Sequence, residues 1–146
     1  VVAWAPEVGV VDQLARAPVN FQDVVEFLGY TAPTAPLRRG EAFDLVTYWR
    51  VTGALPPRLF QFTHVLNAEG GIVAQQDRLA LTSASLGVGD VFAQVHHLTL
   101  PGDAAAGEYA LTIGLFTPAD GARLQITQAG QPRGDRLWLR PLVVGE

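Results

Sequence analysis

Between Glu41 and Asn67 the chain reads EAFDLVTYWRVTGALPPRLFQFTHVLN, two aromatic and β-branched runs divided by Gly53-Ala-Leu-Pro-Pro57. In an extended chain successive side chains point to opposite faces. Phe43, Leu45, Thr47, Trp49 and Val51 therefore share one face of the first run, while Ala42, Asp44, Val46, Tyr48 and Arg50 share the other. A largely apolar face backed by a mixed one marks a half-buried strand. The second run, Leu59 to Leu66, has the same character, and the glycine and paired prolines between them stop either run from continuing as a helix. Two such strands place their apolar faces in a β core that the remaining runs must complete.

The same punctuation recurs along the chain. VVEFLGYTA, from Val24, alternates as a first strand or a bulged one. Pro33, Pro36 and Gly40 mark a surface connector. Asn67 to Gly71 predicts a hairpin turn, because Asn and Gly tolerate positive φ, with IVAQQD returning antiparallel to the Leu59 to Leu66 strand. Residues 78–90 read as an irregular region interrupted by Ser83, Ser85, Gly87 and Gly89. VFAQVHHLTL is a further strand, and in EYALTIGLF the residues Tyr109, Leu111, Ile113 and Leu115 share a face. The turn Thr117 to Gly121 predicts that ARLQI returns as a hairpin strand, and RLWLRPLVV supplies a final strand with an edge or bulge at Pro141.

With about eight strand candidates and no helical crossovers between them, the pattern predicts an all-β fold, an antiparallel β-sandwich of immunoglobulin/fibronectin III-like or jelly-roll-like type. Residues 1–18, with Pro6, Gly9 and Pro18, form a lead-in segment, and residues 19–146 form a single sandwich domain. The expected core rests on Phe27, Phe43, Leu45, Trp49, Phe62, Ile113, Leu115 and Leu139.

Composition bounds the function. A chain of 146 residues, 49% hydrophobic and 16% charged, suits one globular domain. Its basic residues are all Arg, only Arg38 and Arg39 are adjacent, and the net charge is -4. A nucleic-acid partner, which calls for a concentrated basic patch, is not expected. Absence of Cys removes disulfides, thiolate catalysis and cysteine-ligated metals. No run reaches the roughly 18 to 20 apolar residues that cross a bilayer. A start at Val1, with no Met anywhere, is expected of a fragment, a processed form or part of a longer protein, whose membrane anchor can lie elsewhere.

No catalytic signature stands out. His96 and His97, being adjacent on a strand, point to opposite faces. A metal site would need His64 to meet one of them with Asp77 or Glu108 nearby, and ordinary hydrogen-bonded histidines explain the same pattern. Ser83 and Ser85 lack the G-x-S-x-G elbow, carboxylates such as Glu41, Asp44, Asp77 and Glu108 have no defined separation, and Arg133-Gly134-Asp135 reads as a turn. No catalytic residue, cofactor or metal ligand is expected. Trp4, Tyr48 or Trp138 can offer a stacking surface to a sugar, with Arg50, Gln61, Gln75 or Asp77 hydrogen-bonding it. The glycan-binding candidates are thus Tyr48, Arg50, Gln61, Gln75, Asp77 and Trp138, and packing of a β core is the competing use of the aromatics.

Four segments, VNFQDVVEFLGY, RRGEAFDLVTYWRV, FTHVLNAEGGIVAQQD and GEYALTIGLFTPADGARL, cover in that order most of Val19 to Leu124. Together they resemble the soluble C-terminal β-sandwich domain of bacterial membrane glycosyltransferase-like proteins, mannosyltransferase-like ones among them. The resemblance implies a noncatalytic, extracytoplasmic accessory or interaction domain whose parent carries its catalytic machinery in a multispanning membrane region. It implies as partners a glycan or lipid-linked sugar, or the parent's membrane domain. It assigns no chemical role to Asp44, His64 or Asp77. The alternative is a self-contained carbohydrate-binding module.

Overall fold

A computed structural model describes residues 19–82 and 86–146. The lead-in segment, Trp4, Ser83 and Ser85 lie outside those residues. The strands are β1 (Val19–Phe21), β2 (Val25–Thr31), β3 (Ala42–Val51), β4 (Arg58–Leu66), β5 (Ile72–Thr82), β6 (Val91–Thr99), β7 (Gly107–Phe116), β8 (Ile126–Gln128), β9 (Gln131–Pro132), β10 (Leu137–Trp138) and β11 (Leu142–Val144). They form two antiparallel sheets packed as a sandwich, one in the order β6-β3-β2-β1-β8-β9 and the other β10-β7-β4-β5, with β11 also on β7. No helix occurs among the described residues, and none is long and apolar enough to cross a membrane.

β3 follows its alternation: Phe43, Leu45, Thr47, Trp49 and Val51 are buried, and Asp44 and Arg50 are exposed. Trp49 is the centre of the core. Phe21 and Phe27 meet its ring edge-on, with centroids 5.1 and 5.2 Å away, a geometry that suits the opposite polarity of ring face and ring edge. The Asn67 to Gly71 hairpin forms as expected. Asn67 Oδ1 accepts from the backbone N–H groups of Glu69 and Gly71, Gly70 takes φ 83°, and β5 returns antiparallel on β4.

Five expectations are corrected. The Val24 run is the second strand among the described residues and not the first, while its bulge is as the alternative reading had it. Its register on β3 shifts between Phe27 and Gly29, which turns Tyr30 inward to stack on Phe27 at 6.3 Å. β5 continues to Thr82, so the region read as irregular is strand for its first residues, held by pairing along β4. ARLQI makes only a bridge to β7, at Phe116 and Arg123. The chain then crosses to the other sheet, where Ile126 buries its side chain and pairs with Phe21. The final run is two strands rather than one, because Pro141 has no N–H to give β7, and β10 and β11 pair with β7 on either side of that break.

The fifth correction concerns β4, which lies between β7 and β5. Its inward row is Leu59, Gln61, Thr63 and Val65, all buried. Phe62 is buried too, yet it stands on the opposite, outer face, where Phe116 packs near it and Arg123 lies over it. It is therefore not part of the central core.

The inward polar side chains form a hydrogen-bonded chain across the sandwich. The Trp49 indole N–H donates to Thr47 Oγ1 (2.8 Å), whose hydroxyl donates to Gln61 Oε1 (2.9 Å). The Gln61 amide donates to Thr63 Oγ1 (3.3 Å), which lies 3.1 Å from His96 Nδ1. Each group is buried, so these bonds offset a desolvation cost that unpaired polar atoms would carry in full.

Candidate functional site

The outer face of the five-stranded sheet carries an unusual set of side chains. Register fixes a transverse row across it: Gln75 of β5 opposes His64 of β4, His64 opposes Thr112 of β7, and Thr112 opposes Trp138 of β10. At one end of the row the Trp138 indole is 57% exposed. In its middle, His64 and Thr112 are only 7% and 0% exposed, and neither His64 Nδ1 nor Thr112 Oγ1 has a hydrogen-bond partner among the described residues. Buried polar atoms are rarely left so, and these two stand opposite one another on paired strands.

A second row lies beside it. Asp77 opposes Phe62, and Phe62 opposes Gly114. A side chain at Gly114 would place Cβ 2.2 Å from the Phe62 ring and 2.8 Å from the Asp135 carbonyl oxygen, so only glycine admits the ring. The Arg123 guanidinium lies 4.5 Å over Phe62 and reaches Asp135 at 3.5 Å. Arg136 lies 6.0 Å from both the Phe62 and Trp138 rings and makes no ion pair among the described residues. Both arginines come from segments read in the sequence as strands, ARLQI and RLWLRPLVV, with no functional role given to either. Gly114, a glycine inside a strand pattern, was the local sign of a close approach.

Burial holds the His64 imidazole below its ordinary pKa of 6.5. Arg136 and Arg123 push in the same direction, and Asp77 opposes them. The ring is therefore neutral near pH 7, able to donate or accept one hydrogen bond. Phe62, His64, Asp77, Phe116, Gly121 and Arg123 line a depression of about 280 Å³. A second, of about 330 Å³, lies beside Trp138 and includes Glu108, Asn67 and Pro141.

Of the six sequence candidates, Gln75, Asp77 and Trp138 come together on this face. Tyr48 and Arg50 stand on the outer face of the other sheet, where Arg50 pairs with Glu26 at 3.1 Å. Gln61 is fully buried between the sheets and bonded there, because β4 alternates opposite to the expected sense. Surface contact with a glycan is therefore closed to it. His96 and His97 do point to opposite faces: His96 is buried, and His97 is exposed beside Asp44. The grouping of His64 with one of them at a metal does not arise, and no cluster of three metal-ligating side chains exists among the described residues.

No protein-family model matches the chain, and no curated protein matches it. Among solved structures it is similar to the C-terminal domain of wzt, with 15% identity, a TM-score of 0.61, and coverage of 96% of this chain and 83% of that one. It also aligns with a glycosyl hydrolase family 2 member from Bacteroides cellulosilyticus at 12% identity and a TM-score of 0.48. A calcium-binding mutant of Bacteroides uniformis beta-glucuronidase 2 gives 10% and 0.49. The latter two alignments cover 86% and 80% of this chain but only 14% of each enzyme. At such identities the likeness is one of fold, the β-sandwich itself.

Proposed function

We propose that this chain is a noncatalytic carbohydrate-binding accessory domain that recognises a glycan on the outer face of its five-stranded sheet. One observation carries the reading: the exposed Trp138 indole shares the outer face of this sheet with Gln75, Asp77 and Arg136. Sugars offer an apolar C–H face to stack on Trp138 and hydroxyls to bond with Asp77, Arg136 and Gln75. The parent is proposed to be a membrane glycosyltransferase-like protein holding this domain outside the cytoplasm beside a separate active site, where the glycan can be lipid-linked. The sequence resemblance supports that setting, and likeness to a C-terminal domain fits an attached module.

The test is calorimetric titration of the chain with glycans, alongside Trp138→Ala. Because Trp138 is exposed, the variant should keep its fold and lose saturable binding. Turnover of a sugar substrate by the purified chain would overturn the noncatalytic assignment. Absence of long apolar segments in the parent would overturn the membrane setting.

A further inference from the structure

Two depressions on this face, one of them bordered by Trp138, define what kind of glycan suits it. One gathers around Phe62, His64 and Asp77, and the other around Leu66, Ala110 and Glu108. His64 lines the first depression and Leu66 the second, two residues apart in the outward row of β4, so the depressions adjoin, and a ligand filling both spans from Phe62 to Leu66, roughly 13 Å along the strand. That span exceeds a single pyranose ring. Trp138 borders the second depression and occupies the same transverse row as His64, which lines the first.

Charge adds a second constraint. Each depression carries its own exposed carboxylate, Asp77 in one and Glu108 in the other. With Asp135 these make three carboxylates against the guanidiniums of Arg123 and Arg136, and Arg123 is already engaged by Asp135. Like charges at close range disfavour an anionic ligand, while a carboxylate suits paired hydroxyl donors.

Resting on the glycan-binding reading above, we infer that the ligand is an internal stretch of an uncharged, linear oligosaccharide lying along β4 and β7, occupying both depressions with Trp138 at the border of the second. The face thereby discriminates by chain length and against uronic acids.

The experiment is isothermal titration of the 146-residue chain with mannose, glucose and galactose and their linear di-, tri- and tetrasaccharides, with oligogalacturonates as acidic probes. Affinity for one neutral series should rise about tenfold or more from mono- to tetrasaccharide as the second depression is engaged. Asp77→Asn and Glu108→Gln should each weaken the tetrasaccharide several-fold while circular dichroism is unchanged. Equal affinity for mono- and tetrasaccharide, silence of either variant, or acidic oligomers binding as tightly as neutral ones would overturn the inference while leaving a glycan site in place. No binding to any saccharide, together with a silent Trp138→Ala, would sink the glycan-binding reading itself.

Discussion

Thr47→Val isolates the polar chain that crosses the core. Valine keeps the branched shape of threonine, so little volume is lost. What disappears is a hydroxyl that accepts from the Trp49 indole N–H at 2.8 Å and donates to Gln61 Oε1 at 2.9 Å. All three residues are 0–1% exposed, so water cannot replace the missing partner without entering the sandwich. Each stranded buried group costs about 1–3 kcal/mol. Gln61 Nε2 retains its bond to Thr63, which limits rearrangement, and the sum is about 2–4 kcal/mol. For a domain of about 150 residues this lowers Tm by roughly 5–15 °C. Urea unfolding followed by circular dichroism measures the loss, and the double variant Thr47→Val/Gln61→Leu should recover part of it, because removing both partners leaves fewer groups stranded. A single-variant cost below about 0.5 kcal/mol would refute the claim that this chain contributes to stability.

Gly114→Ala should destabilise by about 1–3 kcal/mol, as its Cβ collides with the Phe62 ring; thermal melts report the loss, and binding should fall further than stability if the ring is displaced from beneath Arg123. For His64, the depressed folded pKa means that the unfolded chain binds the extra proton first as pH falls, so its contribution is complete above 6.5 and is lost progressively below it. Melting temperature between pH 7.5 and 5 should therefore drop less steeply in His64→Gln than in the parent protein, and equal slopes would contradict the assignment. Gly53→Ala would set Cβ 2.1 Å from the Asp23 carbonyl oxygen; a Tm equal to the parent's would show that the β1–β2 turn shifts freely.

The fold was legible where a strand has one wet face. β3 and the inward row of β7 alternate as read, since their inner rows are almost wholly apolar. β4 was not, because a central strand with cover on both faces loses its contrast. Its aromatic row, Phe60 and Phe62, suggests the core, whereas Gln61 and Thr63 turn inward to partners on β3 and β6, far away in sequence. The site was half legible for the same reason. Trp138, Asp77 and Gln75 carry chemistry that marks them, but Arg123, Arg136 and Thr112 matter only through neighbours that the fold supplies. A bulge in the Val24 run and a break in regularity at Pro141 were legible, while the registers around them are set by β3 and β7.

The margins of the sandwich bear on how so β-rich a chain avoids sticking to itself. β6 lies against β5 across the seam between sheets, and the Gln76 side chain takes up the His97 backbone N–H. The opposite margin ends in the two-residue β9, whose Pro132 has no amide proton. β7's free side is taken by short pieces broken at Pro141. A stray strand arriving from another molecule thus finds little continuous backbone to zip onto at the β9 margin or along β7, which leaves the seam between β5 and β6 as the stretch where such pairing would have to start.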